Sequence, residues 1–339
     1  VFVIDNLAVN NYLSFQNQKF SNPNAKLYLK LIQQRFKLLS ARDIPLMVTD
    51  ARDYHALSGT LGEIKPDTII HLAAVAHAGK SNKDPYSTFD HSLRTLENAL
   101  DNARSFNLNI KHFVYFSSSM VYGNFSGESV TEQTECNPLG IYGALKYAGE
   151  KMVIAYNQVF DLPYTIIRPS ALYGPRCVSR RVGQIFIENA FKGLKVTVNG
   201  GGEDRLDFTY IDDLTSGILN VLTNEKAKNQ LFNLTHGKAR SIAELVSVIK
   251  KYIPNMQIEY KPKDRLTPSR GTLCIDKAKE MLGFRPSFPI ERGIALYVRW
   301  YMQLFGKQET KMVDAYENYL LGQRKKRKEL LTGTELQGV

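Results

Sequence analysis

Short, continuous apolar runs alternate along the chain with stretches whose apolar positions recur every three or four residues. The runs VFVID (1–5), PLMVT (45–49), TIIHLA (68–73), HFVYFS (112–117) and PYTIIR (163–168) predict strands. Stretches near 24–40, 53–64, 86–107 and 141–160 carry the helical period. Strands that are apolar throughout, instead of at every second residue, are covered on both faces. That pattern predicts a parallel sheet with helices on each side, a doubly wound α/β domain.

Past Arg168 the rhythm loosens. Helical patterns fall near 182–193, 213–224, 241–252 and 291–304, with short strand runs KVTV (195–198), DFTYI (207–211) and LFNLT (231–235). The loops GPRCVSRR, NGGGEDR and KPKDRLTPSRG separate them. This half is expected to form a smaller mixed α/β domain over the carboxyl ends of the strands, where ligands of open α/β sheets bind. The expected division is 1–167 with about 207–234, then 168–206 with about 235–305. A basic helical or disordered tail, 306–339, completes it.

Composition narrows the function classes. With 339 residues and 43% hydrophobic content the chain can bury a full core. No apolar run approaches the ~20 residues of a membrane span, so no membrane partner is expected. Cys136, Cys177 and Cys274 are widely spaced, without a C-x-x-C pair, which suits a reducing compartment and predicts the cytoplasm. Neither they nor the six histidines show metal-ligand spacing, so no metal is expected. The net charge of +11 suits anionic ligands such as nucleotides or acidic sugars. The basic tail run Arg324, Lys325, Lys326, Arg327 and Lys328 has no interleaved aromatic residues, so nucleic acid is not an expected partner.

Two segments carry chemistry. In VFVIDNL, an apolar strand delivers Asp5 to a loop; in dinucleotide-binding folds such an acid grips the adenosine ribose at the end of the second strand. In IYGALKYAGEK, Tyr142 and Lys146 stand at i and i+4 on one helix face. An ammonium beside a phenol favours the phenolate and makes it a base. Leu145, Ala148, Met152, Ala155 and Tyr156 mark a neighbouring face expected to pack on the sheet. The preceding strand ends in SSSMVYG, which puts hydroxyls at the sheet's carboxyl edge.

At these residues the chain resembles the extended short-chain dehydrogenase/reductases, in their NAD-dependent nucleotide-sugar epimerase/dehydratase branch. The matching stretches, in order, are VFVIDN, VTDARD, HLAAVAHAGKS, FSSSMVYG, YGALK, RPSALYGPR and DFTYIDDLTSG. The insert between Asp5 and Asp50 is most similar to the glucuronate 4-epimerase subgroup. The resemblance implies a Rossmann-like sheet, but the family's opening strand, G-x-x-G-x-x-G turn and helix have no counterpart here. Gly200-Gly201-Gly202 and the pair Gly59 and Gly62 do not replace them. The expectation is a chain that lacks its amino-terminal unit, and with it the donors that bind pyrophosphate.

The residue roles follow from the resemblance. Ser118, Tyr142 and Lys146 would be catalytic. Asp5 with Asn6, Asp50 with Ala51, and Leu72, Ala73 and Ala74 would contact NAD, together with Tyr142 and Lys146. Ser119, Arg176, Arg205 and Arg270 would bind the nucleotide sugar, with Arg180 and Arg265 as further diphosphate candidates. For each arginine a surface salt bridge is the competing reading. Family dehydratases place Asp and Glu directly after the catalytic residue; here Ser119 and Met120 stand there. That implies epimerisation at C4 through a 4-keto sugar. The alternatives are a 4,6-dehydratase or other redox-modifying member, and a non-catalytic binding protein if the phosphate loop is truly absent. A homodimer is expected, through the helices near 86–107 and 141–160.

Overall fold

A computed structural model describes residues 1–263 and 268–306. The runs expected to be strands contain strands, most of them trimmed at one or both ends; KVTV shifts to Val196–Asn199 and LFNLT to Gln230–Asn233. β1 (Val3–Ile4) and β2 (Leu46–Met47) pair in parallel, Val3 opposite Leu46. β3 (Thr68–His71), β4 (His112–Phe116), β5 (Tyr164–Arg168) and β6 (Gln230–Asn233) form a second parallel sheet in the order β6-β5-β4-β3.

β4 explains the continuous apolar code. All five residues are buried, and alternate side chains serve opposite faces. Phe113 and Tyr115 pack with Leu96, Leu100, Val153 and Ile166, while Val114 and Phe116 pack with Ile167, Leu214, Phe232 and Phe284. A strand with a core on each side has no position left for a polar alternation. β3 closes the sheet on its other side. Its Leu72 neighbour is 61% exposed, and no strand pairs with the outer edge of β3 among the described residues.

The segment joining β1 to β2 holds α1 (Tyr12–Asn17) and α2 (Ala25–Ser40). α1 is too short to read by periodicity. α3 (Tyr54–Ile64) starts on Asp53, whose carboxylate accepts from the Ala56 amide. The stretch expected as a helix near 86–107 is helical from Pro85 to Ala103, with a π-helical turn inside it. α4 (Ala78–Lys83) and α5 (Pro85–Phe89) lead into a wide turn of π-helix at Asp90–Arg94, and only then does α6 (Thr95–Ala103) run regularly. α7 (Gly140–Phe160) lies along the sheet.

Beyond β5, α8 (Val182–Phe191) and the Ile290–Leu304 helix enclose a separate core built on Phe186, Val196, Val198, Tyr297 and Tyr301. Strand Val196–Asn199 pairs in parallel with Ile258–Lys261. Only Thr209–Tyr210 of DFTYI is strand, because Ile211 already begins a helix. Asp207 is buried there instead, accepting from Thr235, Gly237 and Leu273. Arg265 and the basic tail lie outside the described residues.

Candidate active site

The site begins where β4 ends. Ser118 is extended and 8% exposed, and its Oγ accepts from the Met120 amide at 3.2 Å, capping a short 3-10 turn. Gly123 then turns the chain at φ 68, where a Cβ would meet the Asn137 carbonyl oxygen at 1.9 Å. Ser119, expected at the substrate, is only 1% exposed, and its amide donates to Pro169.

α7 approaches this strand end closely because its inner face is small. A Cβ on Gly143 would lie 2.8 Å from the Met120 carbonyl oxygen, and one on Gly149 would lie 2.2 Å from the Tyr115 hydroxyl. The face on the sheet is therefore Gly143, Lys146, Gly149, Glu150 and Val153. This corrects the expected apolar face in part: Met152 and Tyr156 do pack at the margin of the core on Phe113 and Tyr115, but Ala155 is exposed and Leu145 and Ala148 are only partly buried. Close approach outweighed apolar character.

That packing carries Lys146 inward, to 6% exposure. Its Nζ donates to the Phe116 carbonyl at 2.6 Å and sits 5.1 Å from the Tyr115 ring centroid. Burial pushes its pKa down to about 8, against the opposing charge of Glu150. Tyr142, one turn earlier, is half-buried. So α7 brings the ammonium against β4 two residues before Ser118, with the phenol a turn ahead.

Beneath these groups lies a buried network that the sequence reading did not name. The Ser117 hydroxyl donates to Glu150 Oε1, and Arg168 from the end of β5 donates to both Glu150 oxygens. Arg168 also stacks 4.7 Å over Tyr122, whose hydroxyl donates to Asn233 on β6 at 2.8 Å. The signal for Glu150 was its i+4 spacing from Lys146. His71, at the end of β3, lies against Phe113 and Tyr115, with no partner for its Nε2. Burial, then the charge of Lys146, pushes its pKa down to about 3, so the ring is neutral.

Asp5, expected at the adenosine ribose, and Asp50, expected beside the adenine, cluster at the ends of β1 and β2. Asp5 accepts from the Leu7 amide at 2.6 Å and from Asn11 at 2.9 Å. Asn6 donates to Asp50, which Arg52 also grips. The Arg52 hydrogen bonds hold the Asp50 carboxyl far below the usual carboxylate range. The Ala51 carbonyl accepts from Asn98, and the Ala73 carbonyl from Thr95. Leu72 and Ala73 are exposed and Ala74 is half-buried, so this strip of backbone after β3 is accessible.

The arginines divide. Arg270 keeps a buried Nε without a partner among the described residues; burial, then the charge of Arg181, push its pKa down to about 10, opposed by Asp204 and then Tyr142. Arg181 reaches across to the Ala76 carbonyl at 2.7 Å. Arg176 and Arg180 lie on the preceding loop, both with positive φ. Arg205 stands apart, exposed on the Arg205–Leu206 ladder with Arg240–Ser241, donating to Ala239 at 2.8 Å.

The residues fit part of a dinucleotide. Asp5 with Asp50, the bare strip after β3 and the buried lysine suit its two ends. No strand–glycine turn–helix cradle for pyrophosphate stands among the described residues. Gly200–Gly202 follow a strand but lead to Arg205–Leu206, not to a helix.

Comparison with known proteins supplies the relatives. Residues 17–235 match the NAD dependent epimerase/dehydratase family. The chain is 30% identical over 243 residues to an uncharacterised UDP-glucose epimerase of Bacillus subtilis, covering 70% of this chain and 75% of that protein. It is 28% identical over 302 residues to UDP-glucuronate 4-epimerase 1 of Arabidopsis thaliana, covering 81% and 68%. Its fold is similar to that of UDP-glucuronic acid 4-epimerase from Bacillus cereus, solved with UDP-glucuronic acid and NAD. The TM-score is 0.77 at 24% identity, covering 90% of this chain and 91% of that one.

Proposed function

The chain belongs to the NAD dependent epimerase/dehydratase family, and from that premise we propose that it inverts a nucleotide-diphosphate sugar at C4 through a transient 4-keto sugar. The observation that supports the reading is the seating of Lys146, one helical turn from Tyr142, against Phe116, on the strand that leads to Ser118. Bound NAD supplies the hydride acceptor and donor. Tyr142 takes the proton of the C4 hydroxyl and later returns it. Ser118 accepts from the Met120 amide, so its own proton is free to bridge the sugar oxygen and the phenol. The buried ammonium of Lys146 holds positive charge beside the phenol and is placed to hold the nicotinamide ribose. Asp5, Asn6 and Asp50 hold the adenosine end.

The anionic half of the substrate falls to Arg270, Arg181, Arg176 and Arg180. A buried guanidinium nitrogen with no partner among the described residues, as at Arg270 Nε, is costly, and a diphosphate offsets that cost. Ser119 and Met120 supply no acid–base pair for removing water, which supports epimerisation over dehydration. The division into sheet and substrate domains is supported by the pairing of β6 with β5 and by the separate core around Tyr297. No helix among the described residues is long and apolar enough to cross a membrane. A homodimer through α6 and α7, in the cytoplasm, completes the proposal.

Incubation with NAD and UDP-glucose, UDP-glucuronate or their N-acetyl relatives tests it. The expected product is the C4-inverted sugar. A 4-keto-6-deoxy product would replace epimerase by dehydratase. Binding without turnover would support the non-catalytic reading.

A further inference from the structure

We infer that α2 is a brace for substrate binding, in which Arg35 and Tyr28 are positioning residues for the arginine loop 174–181. The inference rests on the epimerase reading of the site. The loop is an unfavourable conformation by itself. Arg176 and Arg180 hold φ of 62° and 53°, a region that side-chain-bearing residues rarely adopt. Gly174, at φ 150°, leaves no room for a Cβ, which would lie 2.5 Å from Ile211 Cγ2. A strained segment persists only where its surroundings over-determine it.

α2 holds the loop at three points. Arg35 forks onto the Arg176 carbonyl, with Nε at 3.1 Å and Nη2 at 2.6 Å. Val178 is buried among Phe15, Tyr28, Leu31 and Ile32. The Tyr28 hydroxyl accepts from Arg180 Nη1 at 3.2 Å and donates to Glu188 Oε2 at 2.8 Å. Glu188 is itself fixed on α8 by Gln184 and Tyr301. Both strained arginines are thus tied to one helix, through backbone at Arg176 and through the guanidinium at Arg180. Among the described residues no hydrogen bond or ion pair takes up the Arg176 guanidinium, which leaves it for ligand. The brace acts on nucleotide-sugar binding and not on the proton and hydride steps at Tyr142.

Arg35→Met keeps the stem and removes the fork. It is expected to raise KM for the UDP-sugar, and the Kd for UDP alone by calorimetry, about tenfold, as for loss of one charge-assisted anchor. The kcat at saturation should change less than about twofold, since the chemical step is untouched. Arg35→Lys should not restore affinity, because a single ammonium cannot fork. Tyr28→Phe, which preserves the packing, should weaken UDP in the same direction. Unchanged UDP affinity in folded Arg35→Met and Tyr28→Phe overturns the brace, as does a parallel loss of kcat. Wild-type protein that neither binds UDP nor turns over a UDP-sugar overturns the epimerase reading itself.

Discussion

Arg168 grips both carboxylate oxygens of Glu150, with Nε at 2.8 Å and Nη2 at 2.6 Å, beneath the strand end that carries Ser118. Both side chains are almost wholly buried. Burial works against the charge of Arg168, and the bonds and charge of Glu150 outweigh it, so the guanidinium pKa is raised. Removing one partner leaves the other charged and dry. Glu150→Ala is expected to cost about 3–5 kcal/mol in urea unfolding, and Glu150→Met combined with Arg168→Met to recover most of it. A midpoint for Glu150→Ala equal to wild type would remove the pair from the fold's support.

Lys146 makes stability depend on alkaline pH. Its folded pKa of about 8 lies below the ordinary 10.5, so the unfolded chain holds the proton more tightly. At neutral pH the buried charge therefore costs about 3 kcal/mol, and the cost disappears as pH rises from 8 to 10.5. Denaturant titrations should show wild type gaining stability over that window relative to Lys146→Met. Turnover should fall over the same range as the ammonium is lost.

The reaction itself should depend steeply on two hydroxyls. Tyr142→Phe and Ser118→Ala are each expected to lower kcat by about 10²–10⁴-fold, with UDP-sugar binding retained. Rates measured with circular dichroism of the same samples check this. Equal rates for wild type and Tyr142→Phe would assign the proton transfer elsewhere.

Gly149 sets the distance between α7 and β4. An added methyl meets the hydroxyl of Tyr115, a ring packed in the core and unable to swing aside. Gly149→Ala is expected to destabilise by about 1–3 kcal/mol. Turnover should drop too, because the helix must move away from the Phe116 carbonyl. Thermal melts and rates on one preparation read both effects.

At the far end of α7, exposed Asp161 caps the helix at φ 53°, placing a carboxylate where the helix dipole is negative. Asp161→Gly relieves both and should stabilise by about 0.5–1 kcal/mol, with activity unchanged. A lower melting temperature would contradict this account.

The sequence revealed the parallel strands because β4 needs apolar residues on both sides, and a continuous run is a strong pattern. It revealed Tyr142 and Lys146 because i, i+4 spacing survives any helix boundary. It did not reveal which helix face turns inward. Glycine has no hydropathy signature, and at Gly143 and Gly149 the absence of a side chain decided the contact. Glu150 and Arg168 stayed hidden for a related reason: a charge reads as surface until its partner, 18 residues away, is seen beside it. The grip of Arg35 on Arg176 spans 141 positions, beyond the reach of local pattern.

Tyr142, Lys146 and Glu150 occupy successive turns of one helix, each offset by only about 40° from the last, so phenol, ammonium and buried anchor lie on one side of it. Insertion or deletion of one residue between 142 and 150 would swing the anchor about 100° away from the phenol. Chemistry and foundation are thereby inherited as one block. The arginine-bearing loops, rooted on other elements, are left free to diversify around it.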